Sequence, residues 1–351
     1  MNEKASANRP VLRKITASDV ARRAGVSKWT VSRAFTDGAS ISEQALARVQ
    51  LAAKELGYRP NLLARSLSKK SSRLIGVVVD EMLNPNLLTL LDQVTQQLQL
   101  RGYMALLLNI SAQQSEEAVL KLADQLQVDG LLFLGTLLSD DLIALAQDIH
   151  RIPLVQLCRN DDNPYIQVIN TDGYRAGGQA ADLLYQQGYQ RFGYMKGPDT
   201  ESTQLLRYEG YRDRLKELGV EEQSILLLKA NHYNRISGYT AFEQHLQTTL
   251  PGRWVDALFC ENDILAIGVT DARESLASHH HLGIVGYDDI ELASSARYQL
   301  TTFAQPLNAM MQDALLRLTG SDRAQPDFQH QDRLLVRRSH LRSAFGDEQQ
   351  Q

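Results

Sequence analysis

Residues Thr16 to Phe35 read T-A-S-D-V-A-R-R-A-G-V-S-K-W-T-V-S-R-A-F, and this stretch decides the first domain. Val20, Ala21 and Ala24 fall on one stripe of a first helix. Gly25 supplies the left-handed conformation that a tight helix-to-helix turn requires. Val26 plugs the corner. Ser27 can cap a second helix whose inward residues are Val31, Ala34 and Phe35. Lys28, Trp29, Ser32 and Arg33 are left pointing outward. They suit a DNA major groove: cations for phosphates or guanine edges, a hydroxyl for phosphate, an aromatic for thymine methyls. A small solvated hairpin is the plain alternative, because A-x-x-A-G-V alone is common. The ordered set Asp19, Ala24, Gly25, Val26, Ser27, Thr30, Val31 and Ser32 favours DNA binding.

Working outward, Ser42 can cap a third helix over Glu43–Leu56, with Ala45, Leu46, Val49, Ala52, Ala53 and Leu56 on one face and Gly57 ending it. Y-R-P-N, then L-L-A-R-S-L, then the polar tether S-K-K-S-S-R follow. Six helical residues after Pro60 are too few to persist alone in water, so this segment is expected to order only against DNA or a partner copy.

The net charge of −4 conceals a division. Residues 1–73 carry 15 Lys/Arg against 5 Asp/Glu, while the remainder carries 22 against 36. A basic head on an acidic body suits a nucleic-acid binder joined to a separate sensor. A chain of 351 residues exceeds one ordinary core, and 43% hydrophobic with 22% charged residues is ordinary for a soluble protein. No apolar run approaches the roughly 18 residues of a membrane span. The N-terminus M-N-E-K-A-S-A-N-R-P lacks the apolar core of an export signal, so a cytoplasmic location is expected. Cys158 and Cys260 offer neither metal spacing nor a disulfide framework, and both end apolar runs where a buried thiol fits.

From Arg73 the texture becomes strand-then-helix. Strands are predicted at Leu74–Val79, Met104–Asn109, Gly130–Leu134, Leu154–Cys158, Gln167–Asn170, Arg191–Met195, Ile225–Ala230, Ala257–Cys260 and Leu282–Tyr287. Helices lie between most of them, at Leu87–Arg101, Glu116–Gln127, Ala176–Gly188 and Arg207–Gly219 among others. Alternation of this kind predicts parallel sheets covered on both faces. Roughly 270 residues suit two such subdomains with a ligand cleft between them. The fold expected is an all-α helix-turn-helix head plus an α/β body of two parallel-sheet subdomains. The boundaries expected are 14–59 for the DNA-binding domain, 60–73 for hinge and linker, 74–342 for the effector and dimerisation domain, and 343–351 for a polar tail.

Head, hinge and body together resemble the LacI/GalR family of bacterial transcription repressors, from about Thr16 to His340. The signatures are D-V-A-R-R-A-G-V-S-K-W-T-V-S-R, G-Y-R-P-N-L-L-A-R-S-L and I-G-V-V-V-D, then T-D-G-Y-R-A-G-G, R-Y-E-G-Y, E-N-D-I-L-A-I-G, V-G-Y-D-D and L-T-T-F-A-Q-P. Each is weak alone; their order and spacing are specific. The resemblance implies a periplasmic-binding-protein-like body and a homodimer on pseudo-palindromic double-stranded operator DNA; neither a membrane partner nor a cofactor is expected. It matches Lys28 and Trp29 to the main base-reading positions and Arg33 to a further groove contact. Thr16, Ser27, Thr30, Ser32 and Asn61 match backbone-anchoring positions. Leu67 matches the leucine wedged into the central base step, and Ala64 its minor-groove neighbour; a wedge costs unstacking and gains a bent, more widely contacted duplex. Trp29 departs from the small or amide residues frequent at its position. An indole cannot make bidentate base contacts, so apolar contact with a thymine methyl or a sugar is expected.

The same resemblance places a small-molecule effector, a sugar or sugar derivative, in the body cleft. It matches Arg207, Asn262 and Asp288 to recurring effector contacts, with Asp80, Asn84 and Asp172 as weaker candidates. A fork, an amide and a carboxylate suit a hydroxyl-rich or anionic ligand. Asn262 could equally cap the following helix, and Asp288 could simply form a turn. His279-His280-His281 reads as a solvated polar loop rather than a metal site. No phosphate loop, nucleophile elbow or H-E-x-x-H motif is present, and adjacent Asp288 and Asp289 make a poor acid–base pair, so an enzyme is not expected. A sugar receptor serving a transporter is the other rival; the basic head argues against it.

Overall fold

A computed structural model describes residues 15–36, 38–60, 71–110, 116–135, 152–160, 166–198, 205–319 and 330–342. Asn61, Ala64, Leu67 and the expected short helix after Pro60 lie outside the described residues, as does the C-terminal tail. The chain divides into two compact units, Met1–Ser72 and Arg73–Gln351.

In the head, α1 (Ala17–Ala24) starts where the Asp19 carboxylate accepts from the Thr16 backbone N–H at 3.0 Å and hydroxyl at 2.7 Å. An acid in the first turn also complements the helix dipole. Gly25 turns the chain at φ 64°, a conformation glycine adopts without a Cβ penalty. α2 (Lys28–Ala34) begins with Ser27 Oγ accepting from the Thr30 N–H at 3.1 Å. α3 (Glu43–Leu56) is capped by Ser42 in the same way, at 3.3 Å from Ala45 N. The three helices share one small core: Val20, Ala21 and Ala24, then Val31, then Val49, Ala52 and Ala53. Each fully buried valine contributes about 1.5–3 kcal/mol. Ala34 and Phe35 are only partly buried, and the Phe35 ring rests 5.8 Å from Tyr58 at the rim.

In the body, β1 (Leu74–Val79), β2 (Met104–Asn109), β3 (Gly130–Leu134), β4 (Leu154–Leu157) and β5 (Gln167–Ile169) form a parallel sheet in the order β2-β1-β3-β4-β5. α4 (Pro85–Leu100) and α5 (Glu116–Gln125) connect its first strands. A second parallel sheet has the order β7-β6-β8-β9, from β6 (Phe192–Lys196), β7 (Leu226–Lys229), β8 (Ala257–Cys260) and β9 (Gly283–Val285). Its helices are α6 (Gly173–Gln186), α7 (Arg207–Glu217), α8 (Arg235–Thr248) and α9 (Asp263–Leu276). β1, β3, β4 and β8 are almost wholly buried, which is why they read as continuous apolar runs.

Three findings differ from the sequence expectation. Two short antiparallel strands, β10 (Thr302–Ala304) and β11 (Arg333–Leu335), were not anticipated. The strand expected at Leu282–Tyr287 shortens to three residues, because Gly286 N and Asp288 N turn to the carbonyls of Thr301 and Phe303. His280 is half-buried, against Trp254 and hydrogen-bonded to the Val255 carbonyl at 2.5 Å, so the histidine run is not wholly a solvated loop.

α10 (Leu307–Thr319) follows β10 but belongs to the first half, where Met310, Met311, Ala314, Leu315 and Leu318 share a core with Ile75, Val77, Leu132 and Val155. The chain therefore passes between the halves three times: β5 to α6, β10 to α10, and α10 to β11. In the second half, α6 and α7 pack at backbone contact. A Cβ at Gly210 would stand 1.9 Å from the Tyr174 carbonyl oxygen, and one at Gly177 would stand 2.1 Å from that of Arg207. No helix among the described residues is long and apolar enough to cross a membrane. Cys158 and Cys260 are buried and free, and burial pushes the Cys158 thiol up to about 12, which keeps it uncharged.

Candidate nucleic-acid interface and effector cleft

On the head, Lys28, Trp29 and Ser32 are exposed along α2, and Arg33 is half-buried. Trp29 is 67% exposed, with the Arg33 guanidinium 4.3 Å above its ring. Thr16 and Ser27 are exposed too, and the Ser27 and Thr30 hydroxyls lie 2.9 Å apart. One face thus gathers a cation, an indole, a guanidinium and hydroxyls over an apolar core.

The body cleft opens at the carboxyl ends of the strands of both sheets, where open α/β folds hold their ligands. Asp80 and Glu81 follow β1, Gly135 follows β3, Cys158 and Arg159 follow β4, and Asn262 follows Glu261 beyond β8. Arg207 heads α7, and Asp288 closes the wall beyond β9. Leu87, Leu90, Leu134 and Leu205 form the apolar part of the lining.

Arg207 is 5% exposed. It donates to the Glu261 carbonyl at 2.6 Å and stands 3.3 Å above the Tyr287 ring, while its Nε has no partner among the described residues. Burial works against its charge, but Tyr287 and Asp288 together lift its pKa above the ordinary arginine value. Asp288 is half-buried and accepts from Gln305 Nε2 at 2.9 Å. Burial raises its carboxyl to about 7, against the opposing pull of Arg207 and of the Gln305 hydrogen bond. The neighbouring Asp289 turns away to Arg337, at 2.6 Å.

The halves also touch across the cleft. Arg159 donates within its own half to the Gly135 carbonyl at 2.6 Å and across the cleft to the Tyr233 hydroxyl at 3.0 Å. That hydroxyl donates to Glu261 Oε1 at 2.9 Å. Glu81 accepts from the Tyr233 N–H at 3.3 Å and approaches His232 Nδ1 at 3.3 Å.

Of the effector residues expected from sequence, Asp80, Asn84, Arg207, Asn262 and Asp288 are brought together. Asp172 is not. It is exposed and caps α6, accepting from the Arg175 N–H at 3.0 Å. Asn84 and Asn262 do both things: their side-chain oxygens cap α4 and α9, leaving each amide NH2 for the cleft. Arg159, Tyr233 and Glu261 were missed. Arg159 carried a readable signal, a charge directly after the apolar run Leu154–Cys158. Among the described residues no group of three or more His, Cys, Asp or Glu could hold a metal ion.

A helix-turn-helix head joined to a two-sheet body with a charged cleft defines a DNA-binding transcription regulator that answers to a small molecule. Comparison with known proteins makes this specific. Residues 16–61 match the model for bacterial regulatory proteins of the lacI family, and residues 72–324 that for periplasmic binding proteins and the sugar binding domain of the LacI family. The transcriptional repressor CytR of Escherichia coli is 30% identical over 308 residues, covering 86% of this chain and 88% of its own. The ribose operon repressor of the same organism is 32% identical over 294 residues, covering 83% and 88%. The Lac repressor dimer bound to operator and the anti-inducer ONPF superposes with a TM-score of 0.79 at 25% identity, over 94% of this chain and all of that one. The chain belongs to the LacI family of bacterial regulatory proteins.

Proposed function

We propose that the protein is a cytoplasmic, homodimeric repressor that reads a pseudo-palindromic operator and is switched by a sugar or sugar derivative held in the body cleft, without catalysing a reaction. Lys28 and Arg33 read base edges, and Trp29 beside them makes apolar contact with a thymine methyl or a sugar. Thr16, Ser27, Thr30, Ser32 and Asn61 hold the phosphate backbone, and Leu67 with Ala64 occupies the central minor groove. Asp80, Asn84, Arg207, Asn262 and Asp288 hold the effector, joined by Arg159 at the wall. The DNA-binding domain takes 14–59, the hinge and linker 60–73, and the effector domain 74–342, ahead of a tail at 343–351.

The observation that carries the reading is the buried Arg207, whose Nε has no partner among the described residues, in a cleft that also presents Asp288 and the Asn262 amide. A buried donor left without an acceptor costs about 1–3 kcal/mol, so it calls for a ligand oxygen. A sugar hydroxyl both accepts and donates, and can satisfy the guanidinium and the carboxylate together. Binding that differs between open and closed clefts biases the hinge, and a coupling of roughly 1–3 kcal/mol yields a switch of about 5- to 150-fold.

A thermal-shift screen of the full chain with pentoses, hexoses, polyols and sugar acids identifies the ligand, since a binder of the native state raises the melting point. Operator fragments are then titrated in a gel shift with and without it. Operator affinity indifferent to every compound that raises the melting point refutes the switch.

A further inference from the structure

Trp29 and Arg33 are four residues apart on α2 and so share one face of the helix. The guanidinium lies 4.3 Å above the indole. The ring is 67% exposed and supports nothing in the head core, whose residues are Val20, Ala21, Ala24, Val31, Val49, Ala52 and Ala53. A guanidinium held by its face keeps its edge N–H donors free, and those donors match the two acceptors of a guanine edge. An arginine at the end of a short helix is otherwise rotamer-rich, and ordering it at the DNA would weaken binding.

We propose that Trp29 is a positioning residue for Arg33: the indole face fixes the guanidinium for bidentate guanine recognition, so the base preference at one operator position depends on the two side chains as a unit. This rests on the reading of α2 as the recognition helix. An exposed cation–ring pair corresponds to about 2- to 5-fold in affinity, and a desolvated one to roughly 30-fold. DNA removes water from the pair, so the coupling is larger in the complex than in the free protein.

The test uses the full chain and duplexes selected by the wild type from a randomised pool. Each is compared with its variant at every half-site position and with a random duplex, at one fixed salt concentration. Affinities are measured for Trp29→Ala, Trp29→Phe, Arg33→Ala, Arg33→Lys and the Trp29→Ala/Arg33→Ala double variant, with thermal melts confirming folded heads. Trp29→Ala is expected to flatten the guanine preference at one position although Arg33 is present. The cycle is expected to show at least about 5-fold coupling on the selected duplex and none on the random one. Trp29→Phe retains most of the preference, and Arg33→Lys loses it because a lysine lacks the fork. Independent losses for the two residues, or a guanine preference intact in Trp29→Ala, overturn the positioning role. A wild type that selects no sequence overturns the DNA-reading assignment itself, before any variant is compared.

Discussion

Replacing Asp288 by Asn should change how stability depends on pH. In the folded chain the Asp288 carboxyl is raised to about 7 by burial, even with Arg207 and the Gln305 amide drawing it down. Unfolded, it should titrate near the model-peptide value of roughly 3.9. Between those limits the native state retains a proton that the unfolded state has released. The contribution is therefore complete below about pH 4 and declines as pH rises, until it is lost above about 7. The ceiling on the slope is about 1.4 kcal/mol per pH unit, and the partial exposure of the side chain lowers it. Asparagine keeps an oxygen to accept from Gln305 Nε2 but has no proton to lose. Urea unfolding of both proteins from pH 4.5 to about 9 isolates the effect as a difference, because the remaining titrating groups are common to both. The wild type should lose stability relative to Asp288→Asn on going from pH 5 to 7.5, with the difference flat above about 8. Parallel curves across the whole range would show that Asp288 is ionised throughout and that its burial carries no penalty.

Arg207→Ala should leave operator affinity largely intact while weakening the effector found by thermal shift by about 10- to 150-fold, the loss of one charge-assisted hydrogen bond of roughly 1.5–3 kcal/mol; calorimetry with an unchanged dissociation constant removes Arg207 from the site. Gly210→Ala puts a Cβ 1.9 Å from the Tyr174 carbonyl oxygen, a backbone clash that no rotamer relieves. It should cost about 1–3 kcal/mol or more in urea unfolding, and a neutral result would mean that α6 and α7 can part freely. Leu67→Ala should weaken binding to the selected operator far more than to random DNA, and equal losses in a competition gel shift contradict the wedge.

Much of the body was legible because β1, β3, β4 and β8 are buried on both faces. L-I-G-V-V-V and G-L-L-F-L have no polar alternation to confuse with a helix, and both strands fall where the runs do. β10 and β11 escaped because three residues define no period, and T-F-A and R-L-L pair only after the chain has crossed between halves. In the head, Ser27, Gly25 and Ser42 act through neighbours three or four residues away, so caps and turn could be read locally. The cleft was half legible. Asp80 and Asp288 came with the signature motifs I-G-V-V-V-D and V-G-Y-D-D, whereas Tyr233 and Glu261 acquire meaning only beside Arg159, 74 residues before Tyr233 in the chain. Asp172 shows the converse: a carboxylate in a signature motif that serves the helix starting next to it.

The triple passage of the chain between the two halves of the body limits how this regulator can be taken apart. A protein engineer can recombine it once near residue 72, where one compact unit ends along the chain and the next begins, and graft the sensor behind another reader. No single cut inside the body achieves the same, because α10 completes a hydrophobic interior begun more than two hundred residues earlier. Chimeras that exchange half a sensor need three junctions, and a truncation before Leu307 strips Met310 to Leu318 from beneath β1, β3 and β4 and forfeits the first half along with the second.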